Sequence, residues 1–92
     1  MVKPYRDEYI DHGEWVRVFD GDTDNDELVW HRDKRPREIQ VLHGEGWQFQ
    51  IDNEIPFIIN TNSKFNIDAM VYHRLIKGDT QLILKIKETQ GV

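Results

Sequence analysis

The sequence predicts an all-β fold, and two observations carry the prediction. Apolar and polar residues alternate with a period of two in most apolar segments, as in strands buried on one face, and no stretch repeats at helical spacing. The alternating segments are short, and turn-forming Asn, Asp and Gly residues separate them. About eight short strands in 92 residues favour a small jelly-roll barrel, because closing the sheet hides the hydrogen-bonding edges of its strands.

Eight segments are predicted as strands. In chain order they are EWVRVF (14–19), ELVWH (27–31), EIQVLH (38–43), WQFQI (47–51), PFIIN (56–60), KFNI (64–67), VYHRLI (71–76) and QLILKIK (81–87). Residues 1–13 precede them and are predicted as an extended amino-terminal arm. The whole chain, residues 1–92, is expected to form a single domain, because two halves would be too small to bury separate cores.

Composition narrows the possible functions. The absence of cysteine excludes disulfides and thiolate zinc sites, and it leaves His, Asp and Glu as the strong metal ligands. A net charge of −5 with 12 basic residues argues against a nucleic-acid partner, since a basic surface is needed to neutralise phosphates. The amino terminus lacks the apolar core of a secretion signal, and no apolar run approaches the roughly 20 residues that cross a bilayer. These features predict a cytoplasmic protein without a membrane partner.

Histidine and carboxylate side chains occupy strand positions that can share one face. Successive side chains of a strand point to opposite faces, so His31 and Asp33 point the same way, as do Glu38 and Gln40. His73 lies on a later predicted strand. If these faces line the barrel interior, two histidines and two carboxylates converge on a point that a divalent metal ion would occupy.

A second interpretation treats the same residues as ordinary structural groups. Asp33 would pair with Arg35 or Arg37 in a solvated loop, and His73 would be a buried histidine hydrogen-bonded to Glu38. The residues alone leave both interpretations open.

The spacing of these residues resembles the two-part signature of the cupin family. In cupins the first part reads Gly-x5-His-x-His-x3–4-Glu-x6-Gly, and the second reads Gly-x5-Pro-x-Gly-x2-His-x3-Asn. Here His31-x-Asp33-x4-Glu38 has the spacing of the first part. A Gly-Glu-Gly turn follows at 44–46, and His73 falls at the histidine of the second part. The chain also resembles short uncharacterised cupin-like proteins of marine bacterial viruses.

Several positions depart from the cupin signature. Asp33 stands where cupins usually have a second histidine, and a carboxylate is a legitimate replacement ligand. Asparagine replaces glycine at Asn25 and Asn62, which is a mild change because asparagine best tolerates a left-handed backbone. The remaining departures are Asp68 at the proline, Met70 at the next glycine and Lys77 at the asparagine.

The resemblance implies a divalent metal ion in the barrel, held by His31, Asp33, Glu38 and His73. Mixed nitrogen and oxygen ligands favour iron(II) or manganese(II), with zinc and nickel as alternatives. His31, Asp33 and His73 by themselves match the facial triad of non-haem iron oxygenases, which would free Glu38 to act as a catalytic base. Gln40, beside Glu38, would help to orient a ligand.

Cupin barrels have many activities, so the resemblance implies a class of function rather than one reaction. We expect a small metal-dependent protein that binds or acts on a small molecule, with oxygenation or isomerisation as candidate chemistry. The alternative is a metal-free barrel with a binding or structural role. Whether the protein is an enzyme stays open.

A homodimer is also expected. If Glu38 and Gln40 point inward, Ile39 and Val41 point outward beside Trp30 and form an apolar patch that monomers rarely expose. Cupin-like barrels commonly pair their outer sheets, so the resemblance implies a second copy of the chain as partner.

Overall fold

A computed structural model describes residues 3–89 of the chain. Within them the regular structure consists of eight strands and one short 3-10 helix, Asn25–Glu27. The strands are β1 Tyr5–Asp11, β2 Glu14–Phe19, β3 Arg37–His43, β4 Gln48–Ile51, β5 Phe57–Ile58, β6 Lys64–Ile67, β7 His73–Ile76 and β8 Leu82–Glu88. The predicted all-β fold is therefore confirmed. No helix within residues 3–89 has the length and apolar character needed to cross a bilayer.

The strands form two antiparallel sheets that enclose the core. The larger sheet has the order β1-β2-β8-β3-β6, and the smaller sheet has the order β5-β4-β7. Side chains from both sheets meet between them, as shown by Phe49 of β4, whose ring centroid lies 4.8 Å from that of Phe65 on β6. Trp47 and Leu82 are completely buried in this core. The arrangement matches the predicted jelly-roll barrel.

One predicted strand is absent from the described part of the chain. Residues 27–31 contain the end of the 3-10 helix and an extended segment, and His31 makes a single antiparallel bridge with His73. Of the apolar residues in this stretch, Leu28 is buried, whereas Val29 and Trp30 remain exposed. The stretch is apolar, but it contributes little to the core and runs beside β7 only at its end.

Residues 5–11, expected as part of an extended arm, form the edge strand β1. This strand pairs with β2 along its length. The physical reason lies in Arg17 of β2, whose guanidinium donates hydrogen bonds of 2.7 and 2.9 Å to the two carboxylate oxygens of Asp7. The same guanidinium lies 3.7 Å from the ring centroid of Tyr5. An inward arginine requires such partners, because an unpaired buried charge is costly.

The orientation of β3 is opposite to the one predicted. Ile39 and Val41 are 4% and 0% exposed and belong to the core, whereas Glu38 is exposed to solvent. Gln40 lies on the same outer face as Glu38, because alternate residues of a strand share a face. Burying the two β-branched side chains is favourable, and a strand that turns one residue inward turns every second residue with it. The prediction that Trp30, Ile39 and Val41 form an apolar patch on the outer face is therefore wrong.

Two turns adopt a left-handed backbone where the cupin signature has glycine. Asn62 has φ of 77° and Met70 has φ of 65°. Asparagine accepts this conformation readily, but methionine adopts it at a cost. The backbone N–H of Met70 donates a hydrogen bond of 2.7 Å to the carbonyl oxygen of Asp33. This turn thereby holds the segment that carries Asp33 against the start of β7.

Candidate metal centre

His31 and His73 are held side by side by their own backbones. The His31 N–H donates to the His73 carbonyl at 3.0 Å, and the His73 N–H donates to the His31 carbonyl at 2.9 Å. Residues paired in this way in an antiparallel ladder carry their side chains on the same face. The two imidazole centroids accordingly lie 4.3 Å apart.

The same local contact orients both imidazole rings. Nδ1 of His31 lies 3.1 Å from the carbonyl oxygen of Val29, and Nδ1 of His73 lies 2.9 Å from that of Val71. A carbonyl oxygen only accepts hydrogen bonds, so each Nδ1 carries a proton and donates it. In the neutral ring Nε2 then keeps its lone pair, which is the form that binds a metal ion.

Asp33 adds a carboxylate to the two rings. Its Oδ2 lies 3.4 Å from Nε2 of His73, and its Oδ1 lies 3.4 Å from Nη1 of Arg37. One potential ligand atom from each of His31, Asp33 and His73 lies within 4.8 Å of the other two. The structure therefore brings together three of the four residues that the sequence proposed as ligands.

These three side chains fit a divalent metal ion. Asp33 Oδ2 is buried and has no hydrogen-bond partner within residues 3–89. It faces Nε2 of His73. When that ring carries its proton on Nδ1, two acceptors oppose each other, and a cation between them would satisfy both. Metal–ligand bonds of about 2.1 Å at tetrahedral or octahedral angles place neighbouring ligand atoms about 3.0–3.4 Å apart. The Oδ2 to Nε2 distance of 3.4 Å lies at the upper end of that range.

Electrostatics favour the ligand forms of Asp33 and His31. Burial lowers the pKa of His31 below 6.5, and the neighbouring His73 ring lowers it further, although the contact with Val29 opposes the shift. For Asp33, burial alone would raise the pKa. A hydrogen bond donated by His73, which requires a proton on its Nε2, and the positive charge of Arg37 outweigh burial and hold the pKa of Asp33 below its usual value in the metal-free chain. At neutral pH the site therefore presents a neutral His31 and an ionised Asp33.

Glu38 and Gln40 lie outside this centre, contrary to the sequence prediction. Both line a shallow groove of about 380 Å³ on the outer face of the larger sheet. Glu38 lies directly opposite Lys87 of β8 there. In this orientation Glu38 is not grouped with the three potential ligands, and Gln40 does not line the cavity beside them.

Arg37 occupies the inward position that Glu38 was expected to fill. The cupin signature allows three or four residues between its second histidine and its glutamate, and the shorter spacing, counted from Asp33, leads to Arg37. The Arg37 side chain contacts Asp33 at 3.4 Å and the Oε2 of Glu88 at 3.3 Å. The sequence carried a signal for this orientation, because Ile39 and Val41 are the apolar half of the β3 alternation.

A cavity of about 660 Å³ opens beside the three potential ligands. His31, Asp33, His73 and Arg37 form a polar corner of its wall. Most of the remaining wall is apolar and comes from both sheets, and it includes Phe19, Ile39, Phe49, Phe65, Leu84 and Ile86. Pockets of this size and character are typical of sites for small organic molecules.

Comparison with known proteins adds evidence about the fold. No protein-family model matches this sequence, and no curated protein matches it. Solved structures do match. An RmlC-like cupin from Shewanella frigidimarina NCIMB 400 is similar with a TM-score of 0.69 at 16% identity, over 95% of this chain and 85% of that one.

Two further similar structures belong to larger proteins, of which this chain matches about half. A cupin-like protein from Thermotoga maritima MSB8 has a TM-score of 0.64 at 19% identity, over 80% of this chain and 54% of that one. Fe(II) HppE in complex with substrate has a TM-score of 0.68 at 17% identity, over 97% of this chain and 55% of that one. This chain thus spans about half the length of these two proteins.

These likenesses establish the fold, and at such identities they establish the fold alone. The chain has the cupin fold, as the resemblance of its sequence implied. Its activity has to be argued from its own residues.

Proposed function

We propose that this protein binds a divalent metal ion through His31, Asp33 and His73 and uses the adjoining cavity to bind or convert a small molecule. The observation that carries the proposal is the buried Asp33 Oδ2, which opposes His73 Nε2 at 3.4 Å and has no hydrogen-bond partner within residues 3–89. Two histidines and one carboxylate on one face of an ion form a facial triad with open coordination positions. Such an ion supplies Lewis-acid chemistry, and a redox-active ion also supplies electron transfer.

The chain's own residues prepare this centre in three ways. The carbonyls of Val29 and Val71 hold the two imidazole rings with Nε2 free. Arg37 engages the second oxygen of Asp33, which helps to keep the carboxylate ionised and in place. The apolar cavity wall limits water around a bound molecule, and a low local dielectric strengthens electrostatic contacts inside the site.

Iron(II) or manganese(II) is the metal that we propose. The ligand set consists of two neutral imidazoles and one carboxylate, which suits these ions better than copper(I), whose preferred ligands contain sulfur. Zinc and nickel also accept imidazole and carboxylate ligands and belong in the same metal titration. Oxygenation and isomerisation are the candidate reactions for such a centre, and simple binding is the alternative role.

A metal-free barrel is the second candidate, and one distance favours it. If His73 is protonated on Nε2, its imidazolium ring forms an ion pair with Asp33 at 3.4 Å without any metal. In that state the cavity would still accept a small molecule, and the histidines would have a structural role.

Metal titration of protein purified without a metal-affinity tag tests the proposal. We expect manganese(II) to bind in a 1:1 ratio by isothermal titration calorimetry. Replacing a ligand should weaken binding by more than about tenfold, since even the loss of a group that only orients a ligand has effects of that size. His31→Ala and Asp33→Asn are the test variants.

His43→Ala is the matched control, because His43 is exposed at the end of β3 and does not line the cavity. It should bind manganese(II) as the unmodified chain does. Equal affinities of His31→Ala and His43→Ala would contradict the proposed ligand set. Absence of binding by the unmodified chain would favour the metal-free barrel.

A further inference from the structure

Arg37 is an unusual neighbour for a metal centre, because it brings a positive charge toward a cation. It lies at the start of β3 and points into the barrel, on the same face as Ile39. Its side chain is 15% exposed, so its charge is largely removed from solvent. A cation beside a cation site is tolerated only where anionic groups compensate.

The hydrogen bonds of Arg37 are incomplete. Its Nη2 donates to Glu88 Oε2 at 3.3 Å, and its Nη1 lies 3.4 Å from Asp33 Oδ1. Its Nε is buried and has no hydrogen-bond partner within residues 3–89. Buried donors in folded proteins almost always have an acceptor. The Arg37 side chain also lines the cavity, so a bound molecule that carries an acceptor would contact the guanidinium from that side.

The charges around this corner of the cavity also favour an anionic group on the bound molecule. With the histidines neutral, Asp33 and Glu88 supply two negative charges near Arg37. A divalent ion and the guanidinium together carry three positive charges, so the loaded corner keeps one positive charge in excess. Arg17 also lines the cavity, but its contact with Asp7 neutralises it. Lys3, Asp26 and Glu27 also line the cavity, but all three residues are exposed, so solvent screens their charges. Close to the ion, one monovalent anion would therefore balance the charge.

We propose that the ligand of this cavity is a small monocarboxylic acid with an apolar body. The carboxylate would lie against the Arg37 guanidinium beside the metal centre, and the body would contact the apolar wall formed by residues such as Ile39, Phe65 and Leu84. A single negative charge matches the excess charge, whereas a phosphate dianion exceeds it. This assignment rests on the proposed metal site, because without the ion the two carboxylates outnumber Arg37 and an anion is repelled.

Calorimetric titration of the manganese-loaded protein with three matched probes tests the assignment. Hexanoate carries the proposed head group and tail, hexanamide keeps the tail without the charge, and acetate keeps the charge without the tail. We expect hexanoate to bind more than about tenfold tighter than hexanamide, because hydrogen bonds to charged groups contribute at least that much. Hexanoate should also bind more than about tenfold tighter than acetate, since each buried methylene adds roughly fourfold.

Arg37→Gln and Arg35→Gln form a matched pair of variants. Both remove one positive charge from the same segment, but Arg35 is exposed and does not line the cavity. Arg37→Gln should lose the preference for hexanoate over hexanamide, while Arg35→Gln should keep it. The comparison of the three probes on the unmodified chain needs no variant, so the test stands even if Arg37→Gln folds poorly.

The outcomes separate this assignment from the metal site itself. If manganese(II) binds but hexanoate and hexanamide have equal affinities, the carboxylate assignment is overturned and the metal site stands. Retention of the hexanoate preference in Arg37→Gln with metal bound would overturn the role of Arg37. Failure of manganese(II) to bind, seen in the metal titration, would overturn both. If hexanoate binds more weakly after chelation removes the metal, the result supports a carboxylate site that depends on the ion.

Discussion

Asp33 and His73 oppose each other across 3.4 Å, and the identity of what lies between them decides the chemistry of the site. Each Nδ1 is committed to a backbone carbonyl, so the neutral rings offer only acceptors toward Asp33. Either a proton on Nε2 of His73 or a metal ion between the two side chains would satisfy these opposed acceptor atoms. The positions of the rings are set by backbone geometry, so the site is organised before any ion binds.

His31 gives a residue-scale prediction about pH. In protein freed of metal by chelation, we expect His31 to titrate below 6.5, because burial and the adjacent His73 ring disfavour its charged form. The unfolded chain then binds this proton more tightly than the folded chain, so His31 destabilises the folded state as pH falls from about 6.5 toward its lower folded pKa. Histidine chemical shifts followed by NMR across pH 4 to 8 measure the value. A His31 pKa above 6.5 would contradict the expected effect of burial.

Part of the site could be predicted from the sequence and part could not. His31, Asp33 and His73 were recognisable because residues two apart on a strand share a face and because their spacing resembles that of cupins. Glu38 was chosen by spacing alone, against the alternation of its own strand. The chemistry of Glu38 suits a ligand, but the apolar character of Ile39 and Val41 determines which face of β3 is buried.

The β3 strand shows how packing decides which face of a strand is buried. Turning Glu38 and Gln40 inward would expose Ile39 and Val41, which are now almost completely buried. Burying each such side chain is favourable by about 1.5–3 kcal/mol, which exceeds what a surface carboxylate gains from a nearby lysine. The orientation that places Arg37 inward follows from this difference.

Paired substitutions in β3 test this orientation. Ile39→Ala should lower the free energy of unfolding by about 2–5 kcal/mol, because it leaves a cavity in the core. Glu38→Ala, next to it on the exposed face, should change the free energy of unfolding by less than about 0.5 kcal/mol and leave metal affinity unchanged. Urea denaturation and metal titration provide the two measurements. A loss of metal binding in Glu38→Ala would restore Glu38 as a ligand.

Strands whose alternation is strong were predicted with nearly correct limits, whereas two segments near the amino terminus were not. The segment 27–31 is largely apolar, yet most of its residues line the cavity rather than pair in a sheet. β1 was missed because its residues are mostly polar and exposed. It is ordered by the pairing of Asp7 with Arg17, a tertiary contact that a local pattern does not show.

The cupin fold of the whole molecule was predictable because alternation, turn residues and short length all favour the same closed architecture. The cavity was not predictable, because its volume depends on how far apart the two sheets pack. The interior arginines follow from the same packing, since each is tolerated only with its carboxylate partners in place.

A homodimer stays a prediction, and the structure suggests a different contact for it. Ile39 and Val41 are in the core, but Ile58 on β5, an edge strand of the smaller sheet, is 63% exposed. Ile55, which precedes β5, is 87% exposed. Pairing of two β5 edges would cover both residues. Light scattering should then give twice the chain mass of 11.0 kDa, and Ile58→Lys should give the chain mass itself. Ile10→Lys, on the edge strand β1, is the control and should remain dimeric; a monomeric unmodified chain would exclude this contact.

Metal binding should stabilise the whole barrel, because the proposed ligands join its two sheets. His73 begins β7 of the smaller sheet, while His31 and Asp33 precede β3 of the larger sheet. An ion that binds only the folded chain adds about 2.7 kcal/mol at a concentration 100 times its dissociation constant. For a domain of this size each kcal/mol raises Tm by about 4–8 °C.

Thermal denaturation with manganese(II) and with a chelator measures this effect. At that concentration we expect the unmodified chain to melt about 10–20 °C higher with the ion, and His31→Ala to melt at one temperature in both conditions. His31 suits this test because the residue is only partly buried, so its replacement should change the metal-free Tm less than replacement of the buried His73 would. His43→Ala should keep the full metal-dependent shift. A shift that persists in His31→Ala would mean that the ion binds elsewhere and that the two sheets are not joined through this centre.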